Sequence, residues 1–309
     1  MDDGETVSGI DLMTGGLVRK LASGKFVITA EMTPPDAASE AAVLERVAGL
    51  KGRVDAVNVT DGAGARAHMS AFAAAAILAR NGIEPILQFT VRDRNRLALQ
   101  GELIGAAALG IPNILCLHGD AIDKGDQPDA KAVHDIDSRA LMALARTLRT
   151  EGKLPSGRVI EPRPRLLVGA ADSPREPDEK FSTATLAGKI AAGADFFQTQ
   201  FVYDPEMLRR YLARLRDDGI LASAKFIIGV GPIASAKSAR WMNANLFGVN
   251  VPEPVIARLE AANDPAREGI LMCAELVAEL RELPGVSGVH LMSPKGTGPL
   301  TEVLAELGT

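Results

Sequence analysis

The sequence predicts an α/β fold, a (β/α)8 (TIM) barrel in a single domain, from three observations. Eight short β-rich apolar runs recur along the 309 residues. Segments of helical periodicity separate them, and no composition shift marks a boundary between two domains. The runs are 26–31, 54–60, 84–90, 113–118, 165–170, 195–201, 225–230 and 287–292.

In chain order, residues 1–25 read as an N-terminal extension ending in a short amphipathic helix, and 26–309 as the barrel. After the first run, Val43, Leu44, Val47 and Leu50 recur at helical spacing behind Ser39, a candidate N-cap. Leu99, Leu103 and Ala106 do the same after Asp93, and Gly110 is the expected stop. Asp204-Pro205 joins a cap residue to a proline at the first helical position, and Leu208, Tyr211, Leu212 and Leu215 then line one face. Two connections are long and polar, 119–135 and 171–180; both follow strands, which places them on the rim where barrel enzymes carry function. The stretch 231–286 holds three helical patterns, around 237–246, 252–262 and 265–282, so extra helices are expected between strands seven and eight.

Composition narrows the function. A net charge of -5 gives no basic footprint, which argues against nucleic acid. The longest apolar stretches, such as 72–79, are too short to span a bilayer. The two cysteines, Cys116 and Cys273, lie far apart without metal-ligand spacing, and no His/Cys/Asp cluster has such spacing either. The expectation is a cytoplasmic, non-membrane protein with no metal site and inert thiols.

Because such barrels build their sites at the C-terminal ends of strands, polar residues falling there are the candidates. They are Glu31, Thr60, Asp61, Gln88, Thr90, His118, Asp120, Gln198, Gln200, Tyr203 and Ser293. For any one of them a capping or rim hydrogen bond is the ordinary reading; the coincidence of so many at one rim is not ordinary. Glu31 stands out: it closes an apolar run directly before Met32-Thr33-Pro34-Pro35, a stiff corner that limits its reach to solvent, so it is either paired or an acid of raised pKa. Asp120 follows Gly119, where the backbone can approach a ligand, or it simply starts an Asx turn. His118 is a base, a stacking surface or a cap, and Lys189 is otherwise an ordinary surface charge. Gly62-Ala63-Gly64 and Gly229-Val230-Gly231 follow strands without completing a dinucleotide fingerprint.

The ordered set of motifs resembles the methylenetetrahydrofolate reductase family, flavin-dependent barrels of one-carbon metabolism that feed methionine biosynthesis. The matching pieces are Glu31-Met32-Thr33-Pro34-Pro35, Val57-Asn58-Val59-Thr60-Asp61-Gly62, Gln88-Phe89-Thr90-Val91-Arg92-Asp93-Arg94-Asn95, 109–115, Gly119-Asp120 and 191–204. The segment 92–95 and Gln198-Thr199-Gln200-Phe201-Val202-Tyr203-Asp204 look most like the branch that also occurs fused behind homocysteine methyltransferase domains; these 309 residues contain no such domain.

The resemblance implies a catalytic pair. Glu31 would protonate N10 of methylenetetrahydrofolate and open its five-membered ring, and Asp120 would stabilise the resulting N5 iminium cation. Gln200 would hold the pterin, with Gln198 and Tyr203 beside it as substrate contacts. Flavin N5 would carry hydride. Thr60, Asp61, Gln88 and His118 would border the flavin, Lys189 would meet a phosphate or ribityl oxygen, and the 119–135 loop with His134 and Asp135 would cover the adenosine part of FAD. NADH or NADPH is the implied electron donor. The implied partners are a tetrahydrofolate derivative, an electron-transfer or methyltransferase protein, and further copies of the chain.

The chain departs from the family pattern in four places. Gln88 stands where a flavin-contacting histidine is usual, and His118 where many members have arginine. The aromatic expected after strand seven is replaced near Ala236, and 171–177 lacks the Tyr-Pro…His-Pro pattern that binds FAD. FMN in place of FAD is therefore open, as is a folate-binding barrel that takes electrons from a partner or has lost flavin. A non-flavin lyase or aldolase is the third reading; the lack of a strand-end lysine suited to a Schiff base counts against it.

Overall fold

A computed structural model describes residues 13–309; the first twelve residues of the expected extension lie outside the described residues. Eight parallel strands close into a barrel in chain order: β1 (Val27–Met32), β2 (Ala56–Val59), β3 (Pro85–Thr90), β4 (Asn113–Leu117), β5 (Leu167–Asp172), β6 (Phe196–Phe201), β7 (Lys225–Val230) and β8 (Gly288–Leu291). Val27 opposite Gly288 begins the register that closes the ring.

The helices are α1 (Gly16–Ala22), α2 (Glu40–Val47), α3 (Ala71–Arg80), α4 (Arg96–Ala108), α5 (Ser138–Glu151), α6 (Ala184–Ala192), α7 (Pro205–Asp217), α8 (Ala236–Asn245), α9 (Glu253–Ala261), α10 (Pro265–Arg281) and α11 (Gly298–Glu306). Local chemistry sets their ends. The side chains of Ser39 and Asp204 accept hydrogen bonds from the Ala42 and Met207 amides, and Pro205 opens α7. Before α4 the cap is Asn95, which accepts from the Leu97 and Ala98 amides, while Asp93 pairs with Arg92. Gly110, at φ +74°, ends the same helix in the left-handed conformation that side-chain-bearing residues avoid.

All eight expected runs fall within two residues of the observed strands. Run five is displaced: β5 spans Leu167–Asp172 because Leu167 pairs with Asn113 and Asp172 with Thr199. Ala171 and Asp172 thus belong to the sheet and not to the following loop. Glu31 is the penultimate residue of β1 and not its end.

Side chains alternate across each strand, so every second residue points into the barrel. The lower interior is apolar: Val27, Ala56, Ile86, Leu115, Leu167, Phe196 and Ile227 pack with Leu17, Val18 and Leu21 of α1, which plugs the bottom. Gly169 makes room there, since a Cβ at that position would lie 2.4 Å from the Phe196 ring. Glu84 anchors the plug by accepting from the Gly16 and Leu17 amides at the start of α1. Outward-facing strand residues and the surrounding helices form the larger core, and α8, α9 and α10 pack together over Phe201 and Tyr203.

Candidate functional site

Above the apolar floor the barrel interior turns polar. Thr29, Asn58, Gln198 and His290 are all buried. Gln198 and Asn58 exchange amide hydrogen bonds of 2.6 and 3.1 Å, and Gln198 Nε2 also donates to Thr29 Oγ1 at 3.1 Å. Thr29 Oγ1 lies 2.9 Å from His290 Nδ1. The Thr29 hydroxyl also donates to the Val289 carbonyl at 3.4 Å. On the other side of the ring, His290 Nε2 lies 3.8 Å from Glu31 Oε2. Gln88 Nε2 donates to the same Glu31 oxygen at 3.0 Å. Six side chains from five strands therefore form one network with Glu31 at its upper edge.

This edge opens into a cavity of about 880 Å3 lined by Glu31, Gln88, Leu115, Leu117, Ala171, Gln198, Gln200, Tyr203 and His290. The cavity continues outward between α6 and α7, past Asp172, Arg175, Thr185, Lys189 and Tyr211. Lys189 Nζ donates to the Ala171 carbonyl at 2.6 Å, and burial pulls its ammonium below the usual lysine range. Burial also pushes the Asp172 carboxyl up, although Tyr211 donates to it at 2.8 Å. Gln200 Nε2 donates to the Phe247 carbonyl at 3.3 Å. The Tyr203 hydroxyl is buried without a partner, and burial raises it well above the ordinary phenol range.

The remaining candidates sit elsewhere on the rim. His118, Asp120 and His134 line a second pocket of about 350 Å3. The two imidazoles stack on each other with centroids 4.3 Å apart, and Asp120 Oδ2 accepts from the Gly64 amide at 2.7 Å. Thr60, Asp61 and Asp135 line neither space. Asp61 accepts from Thr90 and is paired with Arg94; Asp135 is held by the Arg96 guanidinium and amide, which keep its carboxyl below the ordinary range. Thr60 Oγ1 is buried and has no partner. Ser293 caps its own turn by accepting from the Lys295 amide.

Between the two spaces lies Arg92, almost fully buried. It binds both oxygens of Asp93 and donates to the Gly62 and Asp120 carbonyls, tying the loops after β2, β3 and β4 together. A Cβ at Gly119 would meet the Arg92 side chain at 2.9 Å, so glycine is required where that side chain crosses β4.

Sequence reasoning missed Thr29, Asn58 and His290 as site residues. Strand parity was the available signal: each lies an even number of positions from an inward-facing neighbour on its own strand, and His290 is the sole ionisable residue of β8. Among the described residues no group of His, Cys, Asp and Glu could hold a metal, and no helix is long and apolar enough to cross a membrane. Cys116 and Cys273 are free and buried; burial raises both thiols, that of Cys273 to about 12, so both stay protonated and unreactive.

Comparisons with known proteins give the family and the fold. A methylenetetrahydrofolate reductase of Caenorhabditis elegans, described as probable and NADPH-dependent, is 26% identical over 243 residues, covering 76% of this chain and 34% of that protein. Methylenetetrahydrofolate reductase 2 of Schizosaccharomyces pombe is 28% identical over 214 residues, covering 65% of this chain and 31% of its own length. The chain thus spans about a third of the length of these relatives. Among solved structures, a Clostridium thermocellum protein that binds two copies of 5-methyl-5,6,7,8-tetrahydrofolic acid shares the fold, with a TM-score of 0.60 and 16% identity over 94% of this chain and 96% of that one. The sequence profile of methylenetetrahydrofolate reductase matches residues 17–308, from the plug helix to the last helix, and the chain belongs to that family.

Proposed function

We propose that this protein is a flavin-dependent oxidoreductase interconverting 5,10-methylenetetrahydrofolate and 5-methyltetrahydrofolate in cytoplasmic one-carbon metabolism, with Glu31 as general acid. The observation that carries the reading is one half-buried carboxylate on the wall of a large cavity, with amide donors beside it and a buried imidazole behind it.

In this reading the pterin enters toward Gln200, whose amide suits its donor and acceptor edge, above Gln198, whose N–H groups are held by Thr29 and Asn58, with Tyr203 on the adjoining wall. Glu31 gives its proton to N10 as the five-membered ring opens, and takes it back in the reverse direction. His290, held by Thr29 at Nδ1 and with Nε2 toward Glu31, orients the carboxyl. Gln88 fixes the other side of the same oxygen. For Asp120 as the cation-stabilising group the support is weaker, because its carboxylate opens onto the second pocket.

The residues present fit a flavin. Leu115, Leu117 and Ala171 offer an apolar wall to a flat ring, and Lys189 has one partner, leaving two N–H donors for a phosphate or ribityl oxygen. The Thr60 hydroxyl on the β2 side is unpartnered but buried away from both spaces, which leaves that assignment without support. Lys189 and Gln88 are the residues that would hold the flavin, and the bound group would supply the hydride-carrying chemistry that no side chain has. If the flavin is FAD, His118 and His134 would hold its adenosine part; with FMN that pocket would go unused. NADH or NADPH is the electron donor. The test is the absorption spectrum of the purified protein, followed by anaerobic mixing with methyltetrahydrofolate. Oxidised-flavin absorbance that bleaches on mixing is the expected result, and a protein that takes up neither FMN nor FAD would remove flavin from the proposal.

A second reading, a folate-binding barrel that receives electrons from a partner protein, is favoured by one observation. Asp61 and Asp135, both expected near the flavin, are engaged by Arg94 and Arg96. Calorimetric folate binding without NADH or NADPH oxidation supports it, and nicotinamide-dependent turnover by the isolated chain excludes it.

A further inference from the structure

Phe247 is the most exposed large apolar side chain among the described residues, at 90%. It does not sit on a loose tip. Asn243 clamps the base of its loop by donating to the Val251 carbonyl at 3.0 Å and accepting from the Val251 amide at 2.6 Å, while Val249 and Val251 are buried under α8 and α9. The tip is fixed as well. Gln200, on the cavity wall, donates to the Phe247 carbonyl, and Gly248 passes so near the β5 loop that a Cβ there would lie 2.0 Å from Ser173 Oγ. Its φ of +76° adds a second reason for glycine. The loop is thus a strap crossing the cavity mouth from β6 to the loop after β5, and Phe247 is among the residues that line the cavity with Gln200 and Asp172. Apolar surface held in water at a cavity mouth is unfavourable until something covers it.

We propose that Phe247 is the residue that covers the substrate at the cavity mouth, packing its ring on the aminobenzoyl group of a bound folate. This rests on the reading of the cavity as a folate site. If Glu31 reaches N10 and the Gln200 amide reaches the pterin, the group attached to N10 leaves through the mouth. That group is a flat aromatic ring, and the strap offers it an aromatic partner. Phe247 acts as a positioning residue with no part in proton transfer.

The experiment is calorimetric titration of the full chain with 5-methyltetrahydrofolate, for the unaltered protein, Phe247→Ala and Phe247→Tyr. The expected result is about tenfold weaker binding for Phe247→Ala, near-normal binding for Phe247→Tyr, and a KM that rises in the alanine variant while kcat changes little. Because Trp241 is the single tryptophan, a Trp241→Phe, Phe247→Trp double variant provides a fluorescent reporter at the strap, and its emission is expected to shift to the blue as methyltetrahydrofolate is added. Equal affinities for the unaltered protein and Phe247→Ala overturn the covering role while leaving the folate site standing. If the alanine variant instead loses self-association in sedimentation with its folate affinity intact, the ring serves a protein contact and the proposal is likewise overturned. No folate binding by the unaltered protein defeats the functional reading itself.

Discussion

His290 and Glu31 come from opposite ends of the sequence, 259 positions apart, yet the β1–β8 seam that closes the barrel brings His290 Nε2 to 3.8 Å from the Glu31 carboxylate. The pair is inside the barrel and not on its rim, with Thr29 fixing the far nitrogen of the ring.

Glu31→Gln is expected to lower kcat by about 10² to 10⁴-fold, the usual contribution of a positioned general acid, while folate affinity stays within a few-fold of normal. Stopped-flow turnover with methyltetrahydrofolate beside calorimetric binding measures both. Turnover near that of the unaltered protein would exclude Glu31 as the acid.

His290→Gln retains a hydrogen-bonding side chain but cannot carry a proton in the same way. We expect a fall in kcat of roughly tenfold, smaller than for the acid itself, with folate affinity held and the acidic limb of the pH–rate profile displaced. An unchanged profile assigns His290 to packing alone.

Asp172 sets a pH dependence of stability. Burial raises its folded-state pKa above the unfolded value, so the folded chain binds more protons and stability falls as pH rises from about 4 through that raised value. Asp172→Asn keeps an acceptor for the Tyr211 hydroxyl and removes the titration. Its denaturation midpoint should exceed that of the unaltered protein at pH 7, and the gap should close toward pH 3; a gap that stays constant across that range would refute the assignment.

Arg149 is buried and bidentate to Asp195, and it also donates to the Leu166 carbonyl, fastening α5 beneath β5 and β6. Arg149→Leu strands the Asp195 carboxylate and should cost about 3 kcal/mol in urea-denaturation stability. Loss below about 1 kcal/mol would mean that Asp195 is satisfied by its bond from the Val168 amide and by water.

Much of the architecture was legible because its signals are local. Ser39, Asp204 and Pro205 announce helix starts by chemistry that acts within three residues, and the three helices between β7 and β8 follow from periodicity alone. The errors have physical causes too. Asp93 had the composition of a cap, but Arg92 beside it claims the carboxylate and leaves Asn95 to cap α4. Run five was misplaced because strand limits depend on which neighbours pair, and the pairing of Asp172 with Thr199 is not written in either segment.

For the site, the sequence by itself determined that Glu31, Gln88, Gln198 and Gln200 would meet at one end of a barrel, because the direction of βα units fixes which rim a strand-end residue occupies. Only the tertiary structure decided how they divide. Closure of the barrel joins Glu31 to His290 and Thr29, while Arg92 ties down the rim loops near Asp120, His118 and His134, which open onto a pocket of their own. Ion pairing withdraws Asp61 and Asp135 from both spaces, and the strap carrying Phe247 reaches the mouth from a segment remote from every strand end. These are contacts between residues far apart in the chain, set by packing and by competition for hydrogen-bond partners, and no local pattern encodes them.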